Sequence, residues 1–131
     1  DLAGALKDFD EAIRAQPDTV GAWNERCWAR AISGDLQGAL ADCNEAIRKE
    51  PNVATDLDSR GFVYLRSGQW DLALADFNAA LRLDPKLASA LYGRGVAKQR
   101  KGDSTGAKTD IAAAQAINQN ITAEYAGYGV R

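Results

Sequence analysis

The chain has 131 residues, 46% of them hydrophobic and 26% charged, and a net charge of −2. That is enough material for one domain with a buried core, without the basic surplus that draws in nucleic acid or an apolar run near the ~18 residues of a membrane span. Histidine is absent and no glycine-rich phosphate loop occurs, so the usual nucleophile pairs and the commonest metal ligand are missing, and neither catalysis nor a cofactor is expected.

The first stretch, DLAGALKDFDEAI, reads as a helix already under way, and the natural chain is expected to extend upstream. Leu2, Leu6, Phe9 and Ile13 give it one apolar face. From there a period of 34 governs the sequence. Pro17, Pro51 and Pro85 share it, as do Asp8, Asp42, Asp76 and Asp110. So do Ala5, Ala39, Ala73 and Ala107, then Ala12, Ala46, Ala80 and Ala114. Gly34, Gly68 and Gly102 form a further column, and Arg26, Arg60 and Arg94 another.

Each period reads as two helices and a tight turn. Trp23, Cys27 and Arg30 are followed by Gly34, then by Ala39, Cys43 and Ala46, and Pro51 closes the unit. The second unit runs Leu57, Gly61, Tyr64, Gly68, Ala73, Phe77, Ala80, Pro85. The third runs Leu91, Gly95, Lys98, Gly102, Ala107, Ile111, Ala114. Small residues facing one another let paired helices approach closely, and glycine permits the left-handed end of the first helix. No strand-like alternation occurs, so the fold class is all-α. The last segment, NQNITAEYAGYGVR, breaks the period: Gln119 stands where proline is due and Tyr128 where arginine is due. Tyr125 and Tyr128 are expected on a short helix covering the last apolar edge, as solenoid ends require. Continuation into further repeats is the alternative, and Gly127 and Gly129 favour an end.

A 34-residue period with an aromatic, then glycine and tyrosine, then A-x3-F, then alanine and proline, resembles the tetratricopeptide repeat. The resemblance covers nearly the whole chain and departs from the pattern in its arginine column, where leucine is usual. Stretches such as RCWARA and LDSRGFVYLRSGQ are similar to repeats abundant in bacterial proteins. The resemblance implies a right-handed α-solenoid of antiparallel helix pairs. It divides the single domain of residues 1–131 into the second helix of a truncated repeat (1–19), full repeats at 20–53, 54–87 and 88–121, and a C-terminal capping helix (122–131). The N-terminal helix, lacking a hairpin partner, is expected to be exposed, frayed or covered by another molecule.

Within a hairpin, Arg26 lies level with Asp42, and both point to the same side at ~100° per residue. Arg26–Asp42, Arg60–Asp76 and Arg94–Asp110 are therefore expected to form structural ion pairs at the seams, with the neighbouring repeat's aspartate as the alternative partner. Cys27 and Cys43 occupy the facing inward columns of one hairpin, so their sulfurs are expected to meet. They either form a disulfide, which favours an exported or periplasmic protein, or stay reduced in a cytoplasmic one.

The resemblance also implies a concave groove lined by the first helices. Its columns carry Asn24, Trp28, Ala31 and Ile32, then Thr55, Asp58, Phe62, Leu65 and Arg66, then Ser89, Tyr92, Val96, Gln99 and Arg100. Trp28, Phe62 and Val96 are expected to form an exposed apolar strip, while Trp23 and Trp70 belong to the core. Some family members clamp acidic chaperone tails with lysine, arginine and asparagine in this groove. Here only Asn24 matches, so an apolar-anchored peptide or helix of a partner protein is expected instead. Self-association into a homodimer through exposed terminal helices is the alternative.

Overall fold

A computed structural model describes residues 1–130. Among them every regular element is a helix: α1 (Leu2–Ala15), α2 (Val20–Ser33), α3 (Leu36–Lys49), α4 (Ala54–Arg66), α5 (Trp70–Leu83), α6 (Ala88–Arg100), α7 (Ser104–Ile117) and α8 (Ile121–Gly127). Local chemistry marks the boundaries. Asp1, Asp35 and Asp103 cap α1, α3 and α7, their carboxylates accepting from the N–H groups of Ala3, Gly38 and Gly106 at 3.1, 3.0 and 2.9 Å. The turns inside the hairpins use Gly34, Gly68 and Gly102 at φ 96°, 76° and 92°, a region where a Cβ is strained. In the first loop, Trp23 donates its indole N–H to the carbonyl of Pro17 at 2.9 Å.

Three hairpins, α2/α3, α4/α5 and α6/α7, stack in order, with α1 packed against α2. Helix α2 also touches α4, and α4 touches α6, whereas α3, α5 and α7 do not touch one another. The first helices therefore form the inside of the curve, giving the all-α solenoid in which each unit buries its apolar face on its neighbour. The hairpin interiors are small-residue seams: Cys27, Ala39, Cys43, Ala73 and Ala80 are fully buried. Phe77 is the large exception, and glycines make room for it on both sides. A Cβ on Gly61 would stand 2.6 Å from its ring, and a Cβ on Gly93 of the next repeat would also collide with it.

Helix α1 buries Ile13 and leaves Leu2 exposed. Trp23 and Trp70, expected in the core, are half-buried at the hairpin edges.

Candidate functional site

Arginine seams and a disulfide hold the scaffold behind the groove. Arg60 donates from Nε and Nη2 to the two carboxylate oxygens of Asp76, both at 2.8 Å, and Arg94 does the same with Asp110. Arg26 holds Asp42 in the same two-pronged way at 2.9 and 2.7 Å. The partner in each case is the repeat's own aspartate. The remaining nitrogen, Nη1, reaches back across the seam, to Asp10 at 2.8 Å from Arg26, and to Asn44 and Asn78 at 3.1 Å from Arg60 and Arg94. Asp10, Asn44 and Asn78 are themselves 34 apart, a column the reading of the sequence passed over. Each guanidinium thus staples two helices of one hairpin to the helix before it. Hydrogen bonding to the aspartate raises all three arginines further above their ordinary range, against the opposing effect of burial. Burial would raise Asp110, but hydrogen bonds from Arg94 and Lys98 outweigh it and hold the carboxyl below its usual range. Cys27 and Cys43 are joined by a disulfide, with Cα atoms 5.4 Å apart.

The inner face carries the candidate groove, and the structure corrects the expectation of an open apolar strip along it. Phe62, Leu65, Tyr92 and Val96 are 1, 4, 4 and 3% exposed. They are covered because α8, seated on α6 and α7 of the last hairpin as expected, also sends its aromatic side chains and the residues after it over the inner face. Tyr125 lies with its ring centroid 5.9 Å from that of Phe62, 4.9 Å from Tyr92 and 6.3 Å from Trp28. Tyr128 meets Trp28 edge-on at 5.5 Å, and Trp28 in turn stacks at 4.3 Å on Phe62. Arg66, expected among the groove residues, is turned inward: its Nη1 donates to the carbonyls of Ala31 and Tyr128 at 3.0 and 2.8 Å and ties the tail to α2. Arg100 lies over the Trp70 ring, 5.9 Å from its centroid. Val130 is buried beside Leu65 and Val96.

What stays open is the N-terminal end of the groove, between α1, α2, α4 and the flank of α8. A cavity of about 540 Å³ lies there, reached by Asn24, Trp28, Ile32, Thr55, Asp58 and Ser89 among others. Asp58, expected among the groove residues, is 6% exposed. Its Oδ2 accepts from the Ser89 hydroxyl at 2.5 Å, while Oδ1 has no partner. Burial, partly offset by that hydrogen bond, pushes its carboxyl up to about 7. The Oδ1 of Asn24, one repeat earlier, is also buried without a partner. Burial first, then the nearby Asp58 charge, pushes the Tyr125 phenol above its usual range. Among the described residues no group of acidic and cysteine side chains could hold a metal ion, and no helix is long and apolar enough to cross a membrane.

Two family models match the chain: one described as "Tetratricopeptide repeat" over residues 1–54, and one described as "TPR repeat" over residues 61–102. No curated protein matches it. Several solved structures share the fold. A thermophilic TPR protein of Thermus thermophilus superposes with a TM-score of 0.82 at 19% identity, covering 90% of this chain and 66% of that one. MamA gives 0.77 at 17% identity, over 98% of this chain and 75% of that one. A tetratricopeptide repeat protein from Parabacteroides merdae gives 0.71 at 24% identity, over 99% of this chain and 52% of that one. The chain thus spans between about half and three quarters of these proteins' lengths.

Proposed function

Because the chain belongs to the tetratricopeptide-repeat family, we propose that it is a protein-interaction scaffold with no catalytic activity of its own, which docks a peptide or helix of a partner protein at the N-terminal end of its inner groove. The observation that carries this reading is α8. An aromatic helix already lies across the inner face, with Tyr125 and Tyr128 against Trp28, Phe62 and Tyr92. The groove therefore suits an apolar-anchored helix, and the part α8 leaves open offers more of the same surface. Trp28 and Ile32 stay partly exposed there, in an open, aromatic-lined groove of the kind that suits interface anchors.

Phe62, Leu65, Tyr92 and Val96 contribute as the floor under α8 rather than as contact residues, so substitutions there report on folding. Ile32 is the residue that best separates binding from stability, because Trp28 also packs on Phe62, Tyr125 and Tyr128. A random peptide library selected on the full chain should yield binders that lose at least about tenfold in affinity to an Ile32→Ala variant that melts like the wild type. Recovery of no binders, or only of binders indifferent to Ile32→Ala and Trp28→Ala, would count against the reading.

A further inference from the structure

Helix α1 repeats the inward face of α5. Ala5, Asp8, Phe9 and Ala12 stand two periods before Ala73, Asp76, Phe77 and Ala80, residue for residue the same. The two faces differ in exposure. All four residues of α5 are buried, because α4 closes over them while α6 packs on the other side. Helix α1 meets α2 as α5 meets α6, yet its inward face stays open: Ala5 and Phe9 are half-buried, Asp8 and Ala12 exposed. Among the described residues Asp8 has no hydrogen bond or ion pair, although Asp42, Asp76 and Asp110 of the same column are each gripped by an arginine.

The α4/α5 seam records what such a face accepts. Gly61 crosses Phe77 so closely that a Cβ would stand 2.6 Å from the ring. One residue earlier, Arg60 holds both oxygens of Asp76 at 2.8 Å. Leu57, three residues before that arginine, belongs to the same core. We propose that the inward face of α1 docks a helix of a partner protein with the pattern aliphatic-x2-Arg-Gly, antiparallel to α1, its arginine on Asp8 and its glycine over Phe9. The inference rests on the docking reading above and names the docked helix, since Leu2, Ala5 and Phe9 of α1 form one wall of the open cavity. A helix without a cation would strip water from the Asp8 carboxylate and leave it unanswered, which is costly. Arginine answers both oxygens at once, where lysine offers a single point of charge. A second copy cannot supply this helix without opening a hairpin, because its own Arg26, Arg60 and Arg94 are already held.

The test titrates a synthetic peptide of residues 53–67, the α4 sequence, into the isotope-labelled full chain. Saturable shifts should centre on Ala5, Asp8, Phe9 and Ala12. Arg60→Glu or Gly61→Leu in the peptide should each weaken binding at least about tenfold, the latter although leucine is the better helix former. In the chain, Asp8→Arg changes an exposed residue, so it should melt like the wild type, reject the parent peptide and recover the Arg60→Glu peptide. Absence of saturable shifts, shifts centred on α5, or indifference to the arginine or the glycine would overturn the proposal. So would self-association of the chain that Asp8→Arg abolishes, which gives the face to a second copy. A longer natural form of the chain that no longer takes the peptide would overturn it too, by giving the face to the chain itself. The selection above fails or succeeds separately. Selected peptides that depend on Ile32 but ignore Asp8→Arg would remove this helix and leave docking intact. Peptide 53–67 binding through Asp8, with no peptide selected, would keep the α1 face and remove the wider groove.

Discussion

Asp58 and Asp110 are both almost fully buried aspartates, but only Asp110 faces cations, accepting from Arg94 and Lys98. Asp110, held below its usual range, contributes stability that is present above the unfolded value and lost as pH falls through the folded one. Asp58 works the other way. Ser89 of α6, Tyr125 of α8 and Asn24 of α2 lie around it, none of them cationic, and its carboxyl sits up at about 7. From the ordinary value of about 4 up to about 7, the unfolded chain has given up that proton while the folded chain keeps it. Over this window Asp58 lowers stability as pH rises, by up to about 1.4 kcal/mol per pH unit. An Asp58→Asn variant should therefore match the wild type near pH 4, gain on it up to about pH 7 and hold that gain above it, read from urea midpoints. A difference independent of pH would show that Asp58 is charged in the fold throughout. The arginine ladder gives the second prediction at this scale. Removing Arg60 leaves Asp76 buried and unanswered, so Arg60→Ala should cost about 3 kcal/mol, the lower end of the range for a broken buried pair, because the Arg60 side chain is itself 24% exposed. Replacing both partners with apolar residues should cost less than that single change. A loss below about 1 kcal/mol in Arg60→Ala would place the pair with ordinary surface bridges.

Within each hairpin two helices meet over small residues, and in the first of them a covalent bond reinforces the meeting. The Cys27–Cys43 disulfide links α2 to α3 across a sequence separation of 16, a loop for which chain entropy gives about 3 kcal/mol. Reduction should lower the unfolding midpoint accordingly, and a Cys27→Ala, Cys43→Ala variant should lose the same amount and no longer respond to reductant. Equal midpoints with the thiols demonstrably free would deny the bond any stabilising role. The hairpins were legible in the sequence because the same inward columns recur every 34 residues, so Ala39, Ala73 and Ala107 announce one seam three times. Position within the hairpin also brings the arginine and aspartate columns level. The fate of α8 was not legible by the same means. Tyr125 and Tyr128 mark a short helix with an aromatic face, but no period says whether the rings of a helix seated on α6 and α7 stay there or reach inward to α2 and α4. That choice depends on tertiary fit, on Arg66 reaching the Tyr128 carbonyl and on Tyr125 settling beside Ser89 and Asp58. One signal was available: large apolar residues at 28, 62 and 96, in phase on the inner face, need a cover, and the only aromatic segment outside the repeat could supply it.

A solenoid of stacked hairpins is close to a one-dimensional chain, in which each unit feels only its neighbours and the ends can open alone. The C-terminal segment changes that connectivity. Tyr125 and Tyr128 touch Trp28 of the first hairpin and Phe62 of the second, and Tyr125 also reaches Tyr92 of the third. Residues near the end of the sequence thereby hold the first hairpin directly, and opening either end must strip the tail from the inner face. Truncation after Asn120 should separate these events. Without α8, Phe62, Leu65, Tyr92 and Val96 lose their cover, and large apolar side chains of this kind are each worth roughly 1.5–3 kcal/mol when fully buried. The shortened chain should keep its helical far-ultraviolet spectrum, bind a hydrophobic dye that the full chain does not, and unfold with a shallower denaturant slope, because hairpins then open in sequence rather than together. Native-state hydrogen exchange locates the change: amides of α2 should exchange at the same opening free energy as those of α6 in the full chain, and faster than α6 in the truncated one. If α2 and α6 remain matched after truncation, cooperativity comes from the stacked seams and their arginine staples alone, and the tail merely covers the groove.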